Sequence, residues 1–347
     1  MTILVTGGAG FIGANFLNLM VPRFPEHRFV NIDALTYAAN PLSVEVADRP
    51  NYGFERIDIT ERTAVEELFA RVQPDLVVHF AAESHVDRSI HAPQAFVTTN
   101  VVGTLNLLEA FRALPDAHGR LFHHVSTDEV YGSLGPEGLF TEASPYDPSS
   151  PYSASKAASD HLVRAYHRTY GLPVKITNCS NNYGPYQFPE KLIPLMILNA
   201  LERKPLPVYG RGENVRDWLY VEDHCEAIWR VIEHGRPGAT YNVGGRSELR
   251  NIDVVHAVCE AVAEAPGSDP LERRALVTFV PDRPGHDLRY AIDPGRIERE
   301  CGFVPRETFA TGLRRTVRFY LEKETWVAAV RTGEYRAWLE RNYSERA

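Results

Sequence analysis

A glycine-rich segment follows directly on the first apolar run of the chain. Ile3-Leu4-Val5 leads into Gly7-Gly8-Ala9-Gly10-Phe11-Ile12-Gly13, and residues 14–20 continue with a helical pattern. A strand, a glycine turn and a helix in this order suit a dinucleotide, because a backbone without side chains can approach a pyrophosphate and the helix N-terminus attracts that anion. We therefore predict a cofactor-binding loop that includes Gly7, Gly10, Phe11, Ile12 and Gly13.

A carboxylate at the end of the second predicted strand completes this cofactor pattern. Residues 28–32 end at Asp33, twenty positions after Gly13, where an acid can bind both ribose hydroxyls and would repel a ribose phosphate. Since no arginine follows at once, NAD is favoured over NADP. The alternative is a turn aspartate that caps the next segment. Further cofactor contacts are expected at Ala34, Leu35 and Thr36.

Predicted strands and helices continue to alternate along the chain. Strand-like runs cover residues 52–57, 76–80, 121–125 and 174–177, and helices are predicted over 61–70, 95–114 and 154–170. This order predicts an α/β fold with a doubly wound parallel Rossmann sheet, whose ligands bind beyond the carboxyl ends of the strands. Cofactor contacts are expected there at Asp58, Ile59, Ala81, Ala82, Ser84, Thr99, Asn178 and Asn182.

Three of the polar positions have more than one interpretation. His79 lies inside an apolar run and is expected to be a hydrogen-bonded core histidine, so it is not a catalytic candidate. Thr99 is either a cofactor contact or a helix cap. Asn182 is expected to contact cofactor or substrate, and the sequence does not separate these two roles.

Composition and charge exclude several classes of protein. A net charge of −8 and a pI near 5.9 argue against a nucleic-acid polymer as partner. No uncharged apolar run is long enough for a bilayer and no export signal is evident, so we expect no membrane contact and a cytoplasmic location. The four cysteines, Cys179, Cys225, Cys259 and Cys301, lack the spacing of a metal site or disulfide framework, and no metal is expected.

Two acidic residues precede a tyrosine–lysine pair in the middle of the chain. Asp128 and Glu129 follow a predicted strand end, and Tyr152 stands one helical turn before Lys156, whose ammonium can lower the pKa of the phenol. An alcohol dehydrogenase needs only the second pair, because hydride transfer requires one proton to leave or return. The carboxylates therefore predict redox chemistry coupled to elimination. Capping or a loop salt bridge is the alternative for them.

Longer segments extend the match over almost the full chain. They are residues 81–90, 126–132 (Ser-Thr-Asp-Glu-Val-Tyr-Gly), 181–186, 188–194, 216–224 and 282–287. With the glycine loop and Tyr152-x-x-x-Lys156, these segments make the chain resemble the extended short-chain dehydrogenase/reductases and, within them, the dTDP-glucose 4,6-dehydratase family. The resemblance implies NAD as cofactor, dTDP-glucose as substrate and its 4-keto-6-deoxy derivative as product.

The resemblance also implies a role for each residue of the catalytic set. Tyr152, held as a phenolate by Lys156 and the positive nicotinamide, takes the proton of the sugar 4-hydroxyl as hydride passes to NAD, and Thr127 hydrogen-bonds the same oxygen. Glu129 then removes the proton of carbon 5. Asp128 protonates the departing 6-hydroxyl, after which hydride returns to carbon 6.

The downstream half of the chain is expected to bind the sugar nucleotide. Arg216 and Arg283 suit the diphosphate, because a guanidinium gives paired, charge-assisted hydrogen bonds to phosphate oxygens, although a salt bridge between Arg216 and Asp217 is the alternative. Tyr209 is a candidate for base stacking. The expected substrate contacts are Ser84, Thr127, Asn181, Lys191, Leu192, Pro207, Val208, Tyr209, Arg216, Asn251, Asp282, Arg283 and His286.

We predict an interleaved division of the chain. Residues 1–180 and 217–245 form the NAD-binding Rossmann domain, residues 181–216 and 246–330 form a smaller mixed α/β sugar-nucleotide-binding lobe, and residues 331–347 form a helical tail. By resemblance, the helices over 95–114 and 154–170 build a homodimer interface. Packing inside one subunit is the alternative for both helices.

Other functions stay open at the level of sequence. A sugar-nucleotide 4-epimerase shares the fold, NAD, Tyr152 and Lys156, but it has no use for Asp128 and Glu129. Related enzymes that act on GDP- or UDP-sugars can retain the glutamate, although Thr127-Asp128-Glu129 favours a thymidine-linked substrate. A non-catalytic NAD-binding sensor would leave the catalytic set without a purpose.

Overall fold

The computed structural model describes residues 1–264 and 269–331. Its strands are β1 (Thr2–Thr6), β2 (Arg28–Asp33), β3 (Tyr52–Arg56), β4 (Leu76–His79), β5 (Leu121–Thr127), β6 (Val174–Cys179), β7 (Asn181–Tyr183), β8 (Leu206–Tyr209), β9 (Val215–Tyr220), β10 (Thr240–Val243), β11 (Glu248–Arg250) and β12 (Val277–Val280). Its helices are α1 (Phe11–Arg23), α2 (Arg62–Val72), α3 (Val86–His91), α4 (Pro93–Phe96), α5 (Thr104–Arg112), α6 (Pro151–Tyr170), α7 (Leu192–Leu201), α8 (Val221–His234), α9 (Asn251–Ala263), α10 (Pro270–Arg274), α11 (Gly295–Cys301), α12 (Phe309–Glu322) and α13 (Glu324–Val330). A π-helical segment, Val97–Gly103, joins α4 to α5, and a short 3-10 helix covers Asp128–Tyr131.

Seven parallel strands form the central sheet, in the order β10-β6-β5-β4-β1-β2-β3. Strands β4 and β6 are buried along their whole length, as expected for a parallel sheet that is covered on both faces. The strand order changes direction beside β1, and ligands of such sheets bind outside that point. The predicted doubly wound Rossmann sheet is confirmed.

Successive residues of the central strands contribute to different cores on the two faces of the sheet. Leu4 and Val77 pack with helices α2, α5 and α6, whereas Ile3, Val5 and Val78 pack with α1 and α8. This alternation follows from the two-residue period of a strand. Because both faces are covered by helices, the carboxyl edge of the sheet is where a ligand can reach polar groups.

A second region contains smaller sheets and its own core. Strands β11, β9 and β7 form a three-stranded sheet, and β12 pairs with β8. Helices α7, α9, α12 and α13 share one apolar cluster with these strands. The predicted division into domains stays a prediction, and its boundary at residue 217 falls inside β9. The predicted helical tail lies, apart from Arg331, outside the described residues.

Several sequence-based expectations can be compared with the described residues. His79 is buried, with Nδ1 2.7 Å from Thr6 Oγ1 and Nε2 3.0 Å from Thr104 Oγ1, which confirms it as a core histidine. The four cysteines are buried and unpaired. Over residues 1–264 and 269–331, none of the helices combines the length and the apolar character that a bilayer crossing requires.

Candidate active site

The glycine loop brings backbone close to backbone between β1 and α1. Gly7 has a φ of +73°, and a Cβ there would lie 2.6 Å from the nitrogen of Ala81. A Cβ on Gly13 would lie 2.4 Å from the carbonyl oxygen of Gly7. Gly10 precedes α1 without any side-chain cap, so the first N–H groups of the helix are free to bind an anion. The loop has the geometry of a pyrophosphate cradle.

Asp33 is held at the end of β2 by two backbone donors. Ala9 N donates to Oδ2 at 3.0 Å and Leu35 N donates to Oδ1 at 2.8 Å. Burial raises the pKa of Asp33, and these two hydrogen bonds oppose that rise. Leu35 adopts a left-handed φ of 57°, and its backbone N–H makes this hydrogen bond to Asp33. Leu35 is not among the residues that line the cavity described below.

One cavity of about 320 Å³ runs from the glycine loop along the carboxyl edge of the sheet. Most of the predicted cofactor positions line it, and so does the whole predicted catalytic set. The lining positions from the predicted sets are Gly7, Gly10, Phe11, Ile12, Gly13, Asp33, Ala34, Thr36, Asp58, Ile59, Ala81, Ala82, Ser84, Thr99, Thr127, Asp128, Glu129, Tyr152, Lys156, Asn181, Asn182 and Lys191.

Other predicted positions lie away from the lining of this cavity. Asn178 is fully buried behind it, and its Nδ2 donates to the hydroxyl of Tyr146 at 3.0 Å, because side chains alternate along β6 and Cys179 is the one that faces the cavity. Thr99 lies inside the π-helical segment and lines the cavity, which excludes the helix-cap interpretation. The predicted substrate positions outside the lining are Leu192, Pro207, Val208, Tyr209, Arg216, Asn251, Asp282, Arg283 and His286.

A short 3-10 helix presents the two carboxylates. Thr127 ends β5 and caps this helix, since its Oγ1 accepts a hydrogen bond from the backbone nitrogen of Glu129 at 3.3 Å. Asp128 is buried, and its Oδ2 has no hydrogen-bond partner. Both carboxylates line the cavity within two residues of the end of a central strand.

The first turns of α6 present Tyr152 and Lys156. Ser150 and Ser153 form a reciprocal capping box, and Pro151 takes the first helical position, so the start of the helix is fixed by local sequence. Tyr152 and Lys156 then lie one turn apart on the buried side. The ammonium of Lys156 donates to the carbonyl oxygen of Val125 at 2.9 Å.

Electrostatic effects shift the pKa values of Asp128 and Glu129 to different extents. Burial, and then the charge of Glu129, raises the pKa of Asp128 well above its usual range. Burial also raises the pKa of Glu129, but the positive charges of Arg283, Arg216 and Lys191 oppose that rise. The two carboxyls therefore differ, and a proton shared between them is favoured on Asp128 over Glu129.

Burial dominates the pKa values of the tyrosine–lysine pair. Burial, and then the charge of Glu129, raises the pKa of Tyr152 well above its usual value, and a hydrogen bond with Thr127 opposes the rise. Burial lowers the pKa of Lys156, which weakens its hold on a proton. In the chain alone, desolvation of the phenolate therefore dominates, and the expected phenolate, held by Lys156 together with a positive nicotinamide, stays a prediction.

A group of charged side chains from the second region approaches the Glu129 end of the cavity. Arg283 Nε lies 3.8 Å from Asp87 Oδ1, and the hydroxyl of Tyr209 donates to Asp87 Oδ2 at 3.0 Å. His286 Nδ1 lies 2.6 Å from Asp282 Oδ1. The ring centroids of Tyr209 and His286 lie 6.1 Å apart, so these four predicted substrate residues converge, although from outside the cavity lining.

Arg216 is buried and its guanidinium is held by backbone oxygens. Nη1 donates to Val215 O at 2.8 Å and Nη2 donates to Asp287 O at 2.9 Å. Its neighbour Asp217 instead accepts hydrogen bonds from Gly245 N and Ser247 N. The alternative interpretation of Arg216 as the partner of Asp217 in a salt bridge is therefore wrong, because the two side chains point to opposite faces of β9.

Sequence reasoning missed a cluster that joins the two regions across the cavity. The guanidinium of Arg88 lies 3.7 Å from the ring centroid of Tyr37, and Arg88 Nε donates to Glu190 at 3.1 Å. The hydroxyl of Tyr37 donates to the same carboxylate at 2.8 Å. Tyr37 and Glu190 both line the cavity. The sequence offered one signal for these residues, their position next to predicted site residues: Tyr37 follows Thr36, and Glu190 precedes Lys191.

Comparison with known proteins gives one consistent result. The family model described as GDP-mannose 4,6 dehydratase matches residues 4–316. The dTDP-glucose 4,6-dehydratase of Neisseria meningitidis serogroup B is 56% identical over 345 residues, which cover 96% of this chain and 97% of the relative. The dTDP-glucose 4,6-dehydratase 1 of Escherichia coli K12 is 54% identical over 364 residues and covers 100% of both chains.

Solved structures agree with the sequence relatives. DesIV, a dTDP-glucose 4,6-dehydratase from Streptomyces venezuelae solved with NAD and a second ligand, superposes with a TM-score of 0.87 at 47% identity, over 95% of this chain and 100% of that one. A UDP-glucose 4-epimerase from Thermus thermophilus, in complex with NAD, has a TM-score of 0.83 at 30% identity, over 93% and 100%. The chain belongs to the dTDP-glucose 4,6-dehydratase family.

Proposed function

We propose that this protein converts dTDP-glucose to dTDP-4-keto-6-deoxyglucose. The observation that carries the proposal is that Thr127, Asp128 and Glu129 line the same cavity as Tyr152, Lys156 and the glycine loop. A 4-epimerase has no use for a protonated acid beside an ionised base, whereas removal of water needs both. The identity of 53–57% to dehydratases along the whole chain supports the same reaction and substrate.

The cofactor of this reaction is NAD, and the described residues fit it. Side chains on Gly7 and Gly13 would collide with the backbone, so the loop can fold this tightly only with glycine at both positions. Without side chains there, a pyrophosphate can approach the uncapped start of α1. Asp33 faces the cavity with its carboxylate fixed in place to accept the ribose hydroxyls. The chemistry that NAD supplies when bound is reversible hydride transfer, first from sugar carbon 4 and finally to carbon 6.

Tyr152 accepts the proton of the 4-hydroxyl during the oxidation. Because burial keeps its phenol protonated in the chain alone, the positive charge of a nearby nicotinamide is needed to make the phenolate available, together with the ammonium of Lys156. Thr127, which hydrogen-bonds Tyr152, also binds the reacting oxygen. The sugar loses the carbon 4 hydrogen with its electron pair and the hydroxyl proton, and a 4-ketone forms.

Glu129 and Asp128 carry out the elimination. The ketone acidifies the hydrogen on carbon 5, and Glu129 removes it as a proton. Asp128, whose pKa is raised by burial and by Glu129, gives its proton to the 6-hydroxyl, which leaves as water while a double bond forms between carbons 5 and 6. Hydride addition at carbon 6 and proton return to carbon 5 complete a reaction with no net oxidation.

The second region supplies the groups that recognise the nucleotide. Lys191 and Asn181 line the cavity, and Arg283 and His286 approach from the side of Asp87. Arg216 is buried nearby, and its charge acts on Glu129. Movement of these side chains towards a bound diphosphate would bring the cations into charge-assisted contact with phosphate oxygens.

A homodimer and a cytoplasmic location are further parts of the proposal. Val97 and Val102 in the π-helical segment are 47% and 41% exposed, and α6 presents Ala154 and Ala165 outward, which supports a subunit interface on these helices. Light scattering of the purified protein then gives a mass of about twice the 39.0 kDa chain. The buried unpaired cysteines support a reducing compartment. From the acidic charge we expect no nucleic-acid polymer as partner, and from the lack of a long uncharged apolar run we expect no membrane partner.

Incubation with dTDP-, UDP- and GDP-linked sugars tests the activity. A product of dTDP-glucose that has lost one water, without net formation of reduced cofactor, is the expected result. A product of unchanged mass and inverted carbon 4 would indicate epimerisation. Conversion of a UDP- or GDP-sugar in preference to the thymidine-linked one would overturn the substrate assignment.

A further inference from the structure

A buried charged network lies behind the tyrosine–lysine pair. Asp160 is fully buried on α6, one helical turn after Lys156. Its Oδ2 accepts hydrogen bonds from Ser126 Oγ at 2.9 Å and from the hydroxyl of Tyr146 at 2.8 Å. Its Oδ1 lies 3.2 Å from Nε2 of His124, which is also fully buried. None of the steps derived above uses Asp160 or His124.

The surroundings of Asp160 keep its charge. A carboxylate without partners in such a site would take up a proton, because the cost of burying a lone charge is large. Here two hydroxyls and a histidine from two segments face it, and Arg164 on the same helix donates to the hydroxyl of Tyr146 at 2.6 Å. Burial raises the pKa of Asp160, but the contacts with His124, Lys156 and Tyr146 outweigh it, so that its pKa is below the usual value.

His124 is the neutral partner in this network. Burial lowers its pKa to about 4, with Lys156 as the next cause, while the contact with Asp160 opposes the shift. The ring of His79 lies 5.2 Å from that of His124, and burial keeps His79 neutral as well by lowering its pKa. The network therefore contains the negative charge of Asp160 facing the positive charges of Lys156 and Arg164.

Lys156 depends on a negative charge nearby. It is 4% exposed, and the contact that positions its ammonium is the neutral carbonyl oxygen of Val125. Burial lowers its pKa, and the first effect that opposes this is the charge of Asp160. If the lysine lost its proton, it would no longer place a positive charge one helical turn from Tyr152.

We propose that Asp160, supported by His124, is a positioning residue that keeps Lys156 charged one helical turn from the tyrosine. Its bond to Ser126 also fixes the end of β5, two residues before Asp128. This inference rests on the proposed function for its catalytic consequence, but the charge state of Lys156 can be measured without any turnover.

A nitrogen-15 NMR titration of the lysine side chains tests the inference directly. The chain has five lysines, Lys156, Lys175, Lys191, Lys204 and Lys323, so the Lys156 signal can be assigned by its loss in Lys156→Met. Removing a negative charge beside a cation lowers the pKa of that cation, so in Asp160→Asn we expect Lys156 to titrate about one pH unit lower or more, a tenfold change in its proton affinity. An unchanged titration of Lys156 overturns the inference, whatever the protein catalyses.

Turnover provides the second measurement. In Asp160→Asn, the alkaline limb of the sugar oxidation moves to lower pH and the oxidation slows about tenfold, while the elimination step is affected less. Asp223→Asn is the matched control, since it removes another buried carboxylate whose donors are the backbone nitrogens of Arg306 and Glu307. Equal slowing of both steps would indicate a merely structural role for Asp160 and contradict the inference.

A second variant at this network keeps the inference testable if the first one does not fold. If Asp160→Asn does not fold, Asp160→Ser removes the same negative charge with a smaller polar side chain, and a shift of Lys156 in the same direction is expected. No shift in that variant would overturn the inference. Failure of the wild-type protein to convert any sugar would refute the proposed function and leave the NMR result to decide on Asp160.

Discussion

Replacement of Asp128 by asparagine separates the oxidation from the elimination. The two side chains have nearly the same shape, and an amide oxygen can still accept the contact that Thr127 Oγ1 makes with Oδ1 at 3.5 Å. What the variant loses is the proton that the departing 6-hydroxyl needs. Tyr152, Lys156 and the cofactor loop keep their contacts, so the oxidation of carbon 4 should change by less than about threefold.

The size of the effect follows from the state of Asp128. Burial and the charge of Glu129 raise its pKa well above the usual range, so Asp128 holds its proton to higher pH than an exposed aspartate does, and that proton is lost in Asp128→Asn. Loss of a general acid slows a step by about 10²–10⁴-fold, which corresponds to about 3–5 kcal/mol. The elimination should slow by that factor.

Single-turnover measurements distinguish the two steps. The absorbance of reduced nicotinamide reports oxidation of the sugar, and the mass of the product reports loss of water. For Asp128→Asn we expect reduced cofactor to accumulate at nearly the wild-type rate while water loss is delayed. The wild-type elimination should also decline as the pH rises through the raised pKa of Asp128, because the acid then loses its proton, and this decline should be absent in the variant.

One result would refute this reasoning. If Asp128→Asn slows sugar oxidation and water loss by the same factor, Asp128 acts on the whole site and not as the elimination acid. Tyr152→Phe is the opposite control, since it removes the base of the first step and leaves both carboxylates in place.

Three further predictions concern the phenol, the cofactor loop and a buried histidine. Tyr152→Phe should slow reduction of the cofactor about 10²–10⁴-fold in the same single-turnover assay, and reduction at the wild-type rate would contradict its role as base. Gly13→Ala would place a Cβ 2.4 Å from the carbonyl oxygen of Gly7, so we expect about 1–3 kcal/mol less stability in urea and loss of NAD by equilibrium dialysis, with unchanged NAD affinity as the opposing result. Burial lowers the pKa of His224 to about 3, below that of the unfolded chain, so the unfolded state binds more protons and stability falls as the pH drops from about 6.5 towards that value. Urea midpoints of His224→Asn should fall less steeply over that interval, and an equal slope in both proteins would show that His224 does not contribute.

The local parts of the fold were predictable from the sequence. The glycine loop, the six strands of the first half and the start of α6 depend on neighbouring residues, because turn glycines, capping serines and apolar runs act within a few positions. Asp33 was predictable for the same reason, since its place is fixed by the strand that precedes it. The catalytic set followed from strand ends and from one helical turn.

Features that join distant segments were not predictable in this way. Arg88 and Glu190 are 102 residues apart in the chain and meet only in the folded protein. The contact of His124 with Asp160 depends on α6 packing beneath the sheet, and the raised pKa of Tyr152 depends on its burial there. The side-chain direction of Asn178 was not predictable either, because a shift of one residue along a strand reverses the side of the sheet that a side chain faces, and its cofactor contact stays a prediction.

The fate of the hydrogen on sugar carbon 4 tests the central claim most directly. dTDP-glucose that carries deuterium at carbon 4 is incubated with the protein. Mass spectrometry and NMR then show whether the product has lost water and which carbon carries the deuterium. The account predicts a product that has lost one water and carries the deuterium on carbon 6, because Asp128 and Glu129 complete the elimination between two hydride transfers. Deuterium that remains on carbon 4 of a product of unchanged mass would contradict it.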